Sequence, residues 1–458
     1  MNAVSKKAKL AGHITVPGSK SHTIRALLLA TMAEGDSHIS NPLPSADCLS
    51  TAHAIPLIGA KVELSETVWN VHGAGASLHL PTDVINVGNS GSLLYFLSPI
   101  VATCEGWSVF TGDASIRKRP VAHVVDALRQ MGAEAHITQP DATGCPMIIK
   151  GPVKPGSTVV TSGTVSSQYI SGLMMAALLL PGTLHIELTD PKETPYLTMT
   201  QRWLEKIGAH VEISSDFHHI AVQGPAAIKA FDATVPSDWE GVAFPLIAAL
   251  LTDSEIVIDN VDGSGTQGDD AIVSVLQSLG ADIDWDKANA TLTVRGGTKA
   301  KNGIGRLSTE NLPGKELHVN LSGFPDAVCA LAAIACFAEG DTYIEDIGVC
   351  RRKETDRIEV LNAELTKLGA QIEAGEDYLV IHGHAPLNAD GSKNPAFRLH
   401  GGSVESYDDH RVAMAFSCLG LGLAEGECVD VNKAECCSVS FPHFYEAMNA
   451  LGAGIDIR

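Results

Sequence analysis

The chain has 458 residues, 45% of them apolar, which is enough for two domains with substantial cores. Its formal net charge of −21, from 53 acidic and 32 basic residues, argues against nucleic acid or an anionic membrane as a broad-surface partner. Any anion must therefore be bound by a local cluster of basic residues.

The amino-terminal segment MNAVSKKAKLAGHITV lacks the apolar core of a signal peptide. The longest apolar stretches, such as residues 328–338, fall well short of the roughly 18 residues that cross a bilayer. The 10 cysteines show no CxxC spacing of the kind found in zinc or redox sites. We therefore expect a soluble cytoplasmic protein with reduced thiols.

A helix-like segment that ends in Gly-Ala, followed by a strand of alternating apolar and polar residues, recurs six times. The glycines of this repeat are Gly59, Gly132, Gly208, Gly280, Gly369 and Gly452. Glycine is favoured just after a helix because the left-handed conformation there is not penalised without a Cβ. The alternation that follows is typical of a half-buried strand.

A second helix, almost wholly apolar, repeats in step with the first and begins at a polar dipeptide. The six starts are Lys20-Ser21, Asn89-Ser90, Ser166-Ser167, Ser237-Asp238, Pro325-Asp326 and Asp409-His410. Helices that are apolar on all sides must be buried. The pattern predicts an α/β (α+β) fold of six βαβαββ modules in two sets of three. The crossover is expected within residues 224–237, with domains at 19–235 and at 1–18 plus 236–458.

Basic residues are concentrated at a few places in this acidic chain. Lys20 and Arg25 lie at the entry of the first buried helix, and Arg411 lies at the entry of the last. Two further clusters are SIRKRP (115–120) and CRRKETDR (350–357). Taken alone, each of these basic residues or clusters could equally be a solvated lysine, part of a turn or a run of charges on the surface. Together with the positive ends of six helices they predict sites for phosphates and carboxylates.

The chain resembles the enolpyruvyl transferases of the 5-enolpyruvylshikimate-3-phosphate synthase family almost from end to end. The matching segments, in family order, are VPGSKSHTIRALLLA, GNSGS, TGDASIRKRPVAHVVDALRQMGA, VSSQYISGLMMAA, PYLTMT, FPDAVCALAAIACFAEG, RRKETDRI, YDDHRVAMAFS and SFPHFYEAM. The resemblance implies an inverse α/β barrel-like fold. Its two domains each contain three βαβαββ repeats around a pseudo-threefold axis, and they close upon the substrates.

The resemblance also implies which residues bind phosphoenolpyruvate. Its phosphate would meet Lys20, Gly91, Arg119 and Gln168. Its carboxylate would be held by Arg357 and Arg411, whose planar donor forks suit a carboxylate. Gly91 lies where a larger side chain obstructs glyphosate in resistant relatives, which makes the protein a candidate glyphosate target.

The acceptor implied by the resemblance is shikimate 3-phosphate. Its carboxylate would meet Ser21 and Arg25, and its phosphate would meet Ser166, Ser167 and Lys353. Its hydroxyls would meet Asp326 and Gln168, and Tyr196 would line the pocket.

The implied chemistry is transfer of the enolpyruvyl group to the 5-hydroxyl, with release of phosphate. Asp326 would take the hydroxyl proton, and Glu354 or Lys20 would protonate C3 of phosphoenolpyruvate. The reaction requires no metal and no organic cofactor. We expect a monomer that acts in the shikimate pathway of chorismate and aromatic amino acid biosynthesis.

Four positions depart from the family pattern. Val439 replaces a phosphate-binding Lys, and Val349 replaces a polar Asn. Glu193 replaces a Ser that binds the acceptor's phosphate, and Tyr95 stands where an Arg is common. Losing one charged hydrogen bond to phosphate costs about 1.5–3 kcal/mol.

Two alternatives therefore remain open at this stage. The chain could transfer enolpyruvate to another hydroxylated acceptor, although the segment GDASIRKRP has no Cys of the kind found in the UDP-N-acetylglucosamine enzymes. It could also be a non-catalytic paralogue that binds a metabolite.

Overall fold

The computed structural model describes all 458 residues, which form two compact units. We call Gly18–Pro236 the inserted unit. We call Met1–Pro17 together with Ser237–Arg458 the terminal unit.

The strands are short and distributed along the whole chain. In chain order they are β1 (Asn2–Lys6), β2 (Ala11–Thr15), β3 (Asp36–Ser40), β4 (Lys61–Leu64), β5 (Val68–His72), β6 (Ile85–Asn86), β7 (Gly106–Thr111), β8 (Glu134–Ile137), β9 (Met147–Gly151), β10 (Thr158–Thr161), β11 (Gly182–Leu188), β12 (His210–Ile213), β13 (His219–Gly224), β14 (Asp232–Thr234), β15 (Glu255–Asp259), β16 (Asp282–Asp286), β17 (Thr291–Arg295), β18 (Leu307–Ser308), β19 (Glu316–Asn320), β20 (Ala338–Glu345), β21 (Gln371–Ala374), β22 (Leu379–Gly383), β23 (Gly402–Glu405), β24 (Cys428–Asn432) and β25 (Asp456–Ile457).

The α-helices alternate with these strands. They are α1 (Lys20–Met32), α2 (Ala46–Ala54), α3 (Gly91–Val101), α4 (Ala122–Gln130), α5 (Gln168–Ala177), α6 (Thr194–Lys206), α7 (Trp239–Leu251), α8 (Ile272–Ser278), α9 (Val328–Ala335), α10 (Arg357–Lys367), α11 (His410–Leu421) and α12 (Phe444–Ala450).

Six small sheets share one pairing pattern, three in each unit. The inserted unit has the orders β14-β3-β5-β4, β6-β7-β9-β8 and β10-β11-β13-β12. The terminal unit has β16-β17-β15-β2, β18-β20-β22-β21 with β19 also on β20, and β23-β24-β1-β25. Five of the sheets have one parallel pair, at an edge, and β20 pairs in parallel with both β18 and β19; the remaining pairs are antiparallel. The predicted α/β fold class is confirmed.

One buried helix accompanies each sheet: α1, α3 and α5 in the inserted unit, and α7, α9 and α11 in the terminal unit. Nearly every residue of these six helices is buried, including all of α3, α9 and α11. They begin at or within three residues of the six predicted polar starts. Each unit has one hydrophobic core, and these helices form its centre.

The six repeated glycines all have a positive φ, between 88° and 109°. Each follows a helical segment and precedes an outer strand, except that β25 begins four residues after Gly452. This is the left-handed helix terminus that the sequence repeat predicts. No helix combines the length and apolar character needed to cross a membrane.

Gly208, just before β12, and Gly224, at the end of β13, allow the effect of backbone strain to be measured apart from that of steric overlap. Gly208 has φ +88°, and a Cβ there would meet no atom within 4 Å. Gly208→Ala should therefore lower the free energy of unfolding by about 1–2 kcal/mol, from the left-handed conformation alone. A Cβ at Gly224 would overlap the carbonyl oxygens of Ala177 and Leu180. Gly224→Ala should be the more destabilising change, measured by urea denaturation; equal losses would contradict this packing.

Candidate functional site

In the inserted unit, two helix starts and one arginine converge. The Arg119 guanidinium lies over Gly91, where a Cβ would be 2.5 Å from its Nη1 atom. The Gln168 side chain donates to the Ser92 hydroxyl at 2.9 Å, which links the first turns of α5 and α3. Predicted phosphate ligands from three separate motifs thus come together at the positive ends of two helices.

A close approach of the two helices makes this arrangement possible. A Cβ at Gly172 of α5 would overlap the carbonyl oxygen of Tyr95 in α3. The Tyr95 hydroxyl donates to the Pro120 carbonyl at 2.8 Å, next to Arg119. Tyr95 therefore anchors the loop that presents Arg119.

Lys20, the first residue of α1, is mostly buried and forms an ion pair. Its Nζ atom lies 3.3 Å from Oδ2 of Asp47, which is also buried. Asp47 belongs to the first turn of α2. Asp47 was not among the residues predicted from the sequence, although an acidic residue in the first turn of a helix is an ordinary signal.

Arg25 is held rigidly by neutral acceptors. Its Nε atom donates to Thr200 Oγ1 at 2.8 Å, and Nη1 donates to the Ser21 carbonyl at 3.0 Å. Its Nη2 atom donates to Ser171 Oγ and to the Tyr196 carbonyl, each at 3.3 Å. These contacts fix the guanidinium among α1, α5 and α6.

No carboxylate lies within ion-pairing distance of Arg25, although Arg25 is only 1% exposed. Burial lowers the pKa of Arg25 to about 9, against an opposing effect of Tyr196. The side chain is still a cation at neutral pH. A buried cation surrounded by neutral oxygens is stabilised by a bound anion, so Arg25 is a candidate anion ligand.

Ser166 and Ser167 precede α5, but their hydroxyl groups form different kinds of hydrogen bond. The Ser166 hydroxyl accepts from the Gln168 N–H at 3.1 Å. The Ser167 N–H and hydroxyl both donate to Glu193 Oε2, each at 2.9 Å. Tyr196 lies one turn into α6 with its side chain buried.

In the terminal unit, Asp326 is the centre of a dense ion network. Its Oδ1 atom accepts from Arg357 Nη1 at 2.5 Å and from Arg411 Nε at 3.1 Å. Its Oδ2 atom accepts from Lys353 Nζ at 3.2 Å. The structure therefore brings together four of the predicted residues from segments far apart in sequence.

Arg357 is fully buried and binds three carboxylates. Besides Asp326, it donates to both oxygens of Asp409, at 2.8 and 3.2 Å, and to Glu354 Oε2 at 2.8 Å. Asp409 also accepts from the Arg411 N–H at 2.9 Å and so begins α11. The candidate acid Glu354 is thus fixed one turn from the arginine that it contacts.

Arg411 is bound by a carboxylate that was not predicted from the sequence. Its Nη2 atom donates to Glu240 Oε2, a buried residue in the first turn of α7. Glu240 is 171 residues away from Arg411, and a glutamate near a helix start is usually read as complementing the helix dipole. Only the folded chain identifies it as the counterion of a candidate substrate ligand.

The balance of charges determines the protonation states in this network. Burial would raise the pKa of Asp326, but Lys353, Arg411 and Arg357 outweigh it and hold that pKa well below its usual range. Burial would lower the pKa of Arg357 and Arg411, but their carboxylate partners raise both well above the usual value. Asp326, Arg357 and Arg411 are therefore ionised at neutral pH.

Two positions that depart from the family pattern, Val439 and Val349, lie in the terminal unit. Val439 ends the 3-10 helix Ala434–Val439 and is partly buried. Lys433, just before that helix, extends to Asp408 at 2.9 Å. Val349 packs partly buried against the terminal core. No group of three or more His, Cys, Asp or Glu residues is arranged to hold a metal ion.

The chain is similar to one family along nearly its whole length. The model of the family described as EPSP synthase (3-phosphoshikimate 1-carboxyvinyltransferase) matches residues 4–448. The 3-phosphoshikimate 1-carboxyvinyltransferase of Acetivibrio thermocellus is 37% identical over 451 residues, which are 98% of each chain. That of Methanococcus maripaludis is 34% identical over 461 residues, covering 100% of each.

A solved structure shows the same similarity in three dimensions. The EPSP synthase from Acinetobacter baumannii superimposes with a TM-score of 0.79 at 27% identity, covering 99% of both chains.

Two adjacent aspartates provide a matched test of the terminal-unit network. Asp409→Asn removes a charge partner from the fully buried Arg357, so it should cost about 3–5 kcal/mol of unfolding free energy. Asp408 is exposed and pairs with the half-exposed Lys433, so Asp408→Asn should leave the free energy of unfolding almost unchanged. Denaturant unfolding monitored by tryptophan fluorescence gives both values. A small loss for Asp409→Asn would show that Arg357 does not depend on this pair.

Proposed function

The chain belongs to the EPSP synthase (3-phosphoshikimate 1-carboxyvinyltransferase) family, and from this premise we propose its reaction. It transfers the enolpyruvyl group of phosphoenolpyruvate to the 5-hydroxyl of shikimate 3-phosphate and releases inorganic phosphate. The reaction belongs to the shikimate pathway, which leads to chorismate and the aromatic amino acids. The observation that supports this most strongly is the ion network that joins Asp326, Lys353, Arg357 and Arg411.

Residues of the inserted unit bind the phosphate of phosphoenolpyruvate. Arg119 and Lys20 supply positive charge, and the α3 start at Gly91 and the Gln168 amide supply hydrogen bonds. Because Gly91 has no side chain, the Arg119 guanidinium has room to lie close to the start of α3. Partial charge at the helix end and the two cations together favour a phosphate over a neutral group.

Arg357 and Arg411 bind the carboxylate of phosphoenolpyruvate by exchanging partners. Both arginines form ion pairs with Asp326. A substrate carboxylate at the same guanidiniums displaces Asp326 from one or both of them. Because those cations depress the pKa of Asp326, their transfer to the substrate raises it. Asp326 then becomes a better proton acceptor when phosphoenolpyruvate is bound.

The acceptor binds on the other side of the reacting carbon. Arg25 and Ser21 hold its carboxylate, Tyr196 lines its ring, and Ser166, Ser167 and Lys353 contact its phosphate. Asp326 and Gln168 contact its hydroxyls. Arg25 suits this role because it is a buried cation without an internal carboxylate.

The reaction is one addition followed by one elimination, and each is accompanied by proton transfer. Asp326 accepts the proton of the 5-hydroxyl as its oxygen bonds to C2 of phosphoenolpyruvate, and Glu354 or Lys20 donates a proton to C3. The resulting tetrahedral intermediate carries both the phosphate and the new ether at C2. Removal of a C3 proton and cleavage of the C2–O bond to phosphate then restore the double bond. Every ligand comes from one chain, and we propose a cytoplasmic monomer without a cofactor.

An enolpyruvyl transferase for a different hydroxylated acceptor is the second candidate. The observation that favours it is the buried Glu193 carboxylate on Ser167, where the proposed acceptor's phosphate would bind.

The proposal is tested by steady-state phosphate release from phosphoenolpyruvate with and without shikimate 3-phosphate. Mass spectrometry of the product must show a gain of the enolpyruvyl group in one-to-one ratio with phosphate. Release that requires another acceptor would establish the second candidate, and no release with either would indicate a non-catalytic paralogue.

Neutral isosteres at the two carboxylates test their roles. Asp326→Asn and Glu354→Gln should each lower kcat by about 10²–10⁴-fold, the usual contribution of a general base or acid. Glu359→Gln is the matched control, because Glu359 is exposed in the first turn of α10. Its kcat should equal that of the parent protein. Unchanged turnover in either site variant would refute that residue's assignment.

A further inference from the structure

Glu193 has an unusual position for a buried acidic residue. It is 5% exposed and precedes α6 in a left-handed conformation, with φ 50° and ψ 37°. Its carbonyl oxygen accepts from the Tyr196 N–H at 3.0 Å, as expected at a helix start. Its side chain, however, makes no capping hydrogen bond to its own helix. It turns to the start of α5 instead.

The Glu193 carboxylate binds at the start of α5, where two donors point to one oxygen atom. A single oxygen, Oε2, accepts from both the N–H and the hydroxyl of Ser167 at 2.9 Å. Ser167 is 1% exposed and is the residue directly before α5. A helix start with free N–H groups and a serine hydroxyl is a favourable place for one negatively charged oxygen.

The same two donors are those that the proposed function assigns to the acceptor's phosphate. Two anionic oxygens cannot accept from Ser167 at one position, and a buried like charge nearby opposes the second anion. We propose that Glu193 is a specificity-determining residue. It acts as an internal anion that competes with the acceptor's phosphate for Ser167 and so lowers the affinity for phosphorylated acceptors. This inference rests on the proposed function.

The carboxylate brings a negatively charged oxygen to the Ser167 donors, which are the donors that an acceptor phosphate would use. The turn that begins at Glu193 also positions Tyr196, whose carbonyl accepts from Arg25.

Two neutral variants and a matched control isolate the charge. Glu193→Gln keeps an oxygen acceptor for Ser167, and Glu193→Asn is a second neutral variant that tolerates the left-handed backbone. Glu205→Gln is the control, because Glu205 is exposed on the same helix that Glu193 precedes. The full chain is assayed with shikimate 3-phosphate and, as a probe without phosphate, with shikimate. Calorimetry measures binding of both compounds directly.

In Glu193→Gln and Glu193→Asn the Kd and KM for shikimate 3-phosphate should fall roughly ten- to a hundredfold, the value of one charged hydrogen bond. The Kd for shikimate and the KM for phosphoenolpyruvate should change by less than about twofold, since neither contact involves Ser167. Glu205→Gln should resemble the parent protein in every assay. A structural role would instead change the Kd of both acceptor compounds alike.

The outcomes distinguish this inference from the proposed function. If the parent protein turns over shikimate 3-phosphate and the neutral variants bind it no more tightly, the inference is wrong and the function stands. If only the neutral variants turn it over, the inference is supported and the proposed acceptor of the natural chain is wrong. If no variant binds it, both are wrong.

Discussion

The burial of cations among carboxylates is the constraint on which the terminal unit depends. Arg357 has no exposed surface, so each of its donors needs an acceptor, and Asp326, Asp409 and Glu354 supply them. Those three residues come from the starts of α9 and α11 and from the segment before α10. The repeated βαβαββ design thus brings several helix starts to one place, and the ion network then fixes their side chains.

The inserted unit solves the same problem differently. Arg25 is equally buried but has only neutral oxygens around it, whereas Lys20 is paired with Asp47. The chain therefore offers two kinds of cation site: Arg25, without a carboxylate, and Lys20, Arg357 and Arg411, whose carboxylates must be exchanged. In the proposed reaction the acceptor's carboxylate binds at the first kind of site, and that of phosphoenolpyruvate binds at the second. Ser167 likewise has a carboxylate partner that a substrate anion must displace, because its N–H and hydroxyl donate to Glu193.

Local sequence signals were sufficient for the fold class and for the helix starts. Gly59 and its five counterparts mark left-handed helix ends, and wholly apolar segments mark buried helices, because both properties depend on neighbours in the chain. The counterions were not predictable in this way. Glu240 reaches Arg411 across 171 residues, and Glu193 turns away from its own helix toward Ser167. Such pairs depend on tertiary packing, which neither spacing nor periodicity encodes.

In the proposed reaction phosphoenolpyruvate takes over the two arginines, Arg357 and Arg411, that pair with Asp326. The direct test of this exchange is a ¹³C NMR titration of protein labelled at the aspartate carboxyl carbon, with the Asp326 signal assigned by its loss in Asp326→Asn. The free protein should show a pKa for Asp326 well below the usual range, and saturation with phosphoenolpyruvate should raise it. A pKa that is the same with and without phosphoenolpyruvate would contradict the exchange of partners.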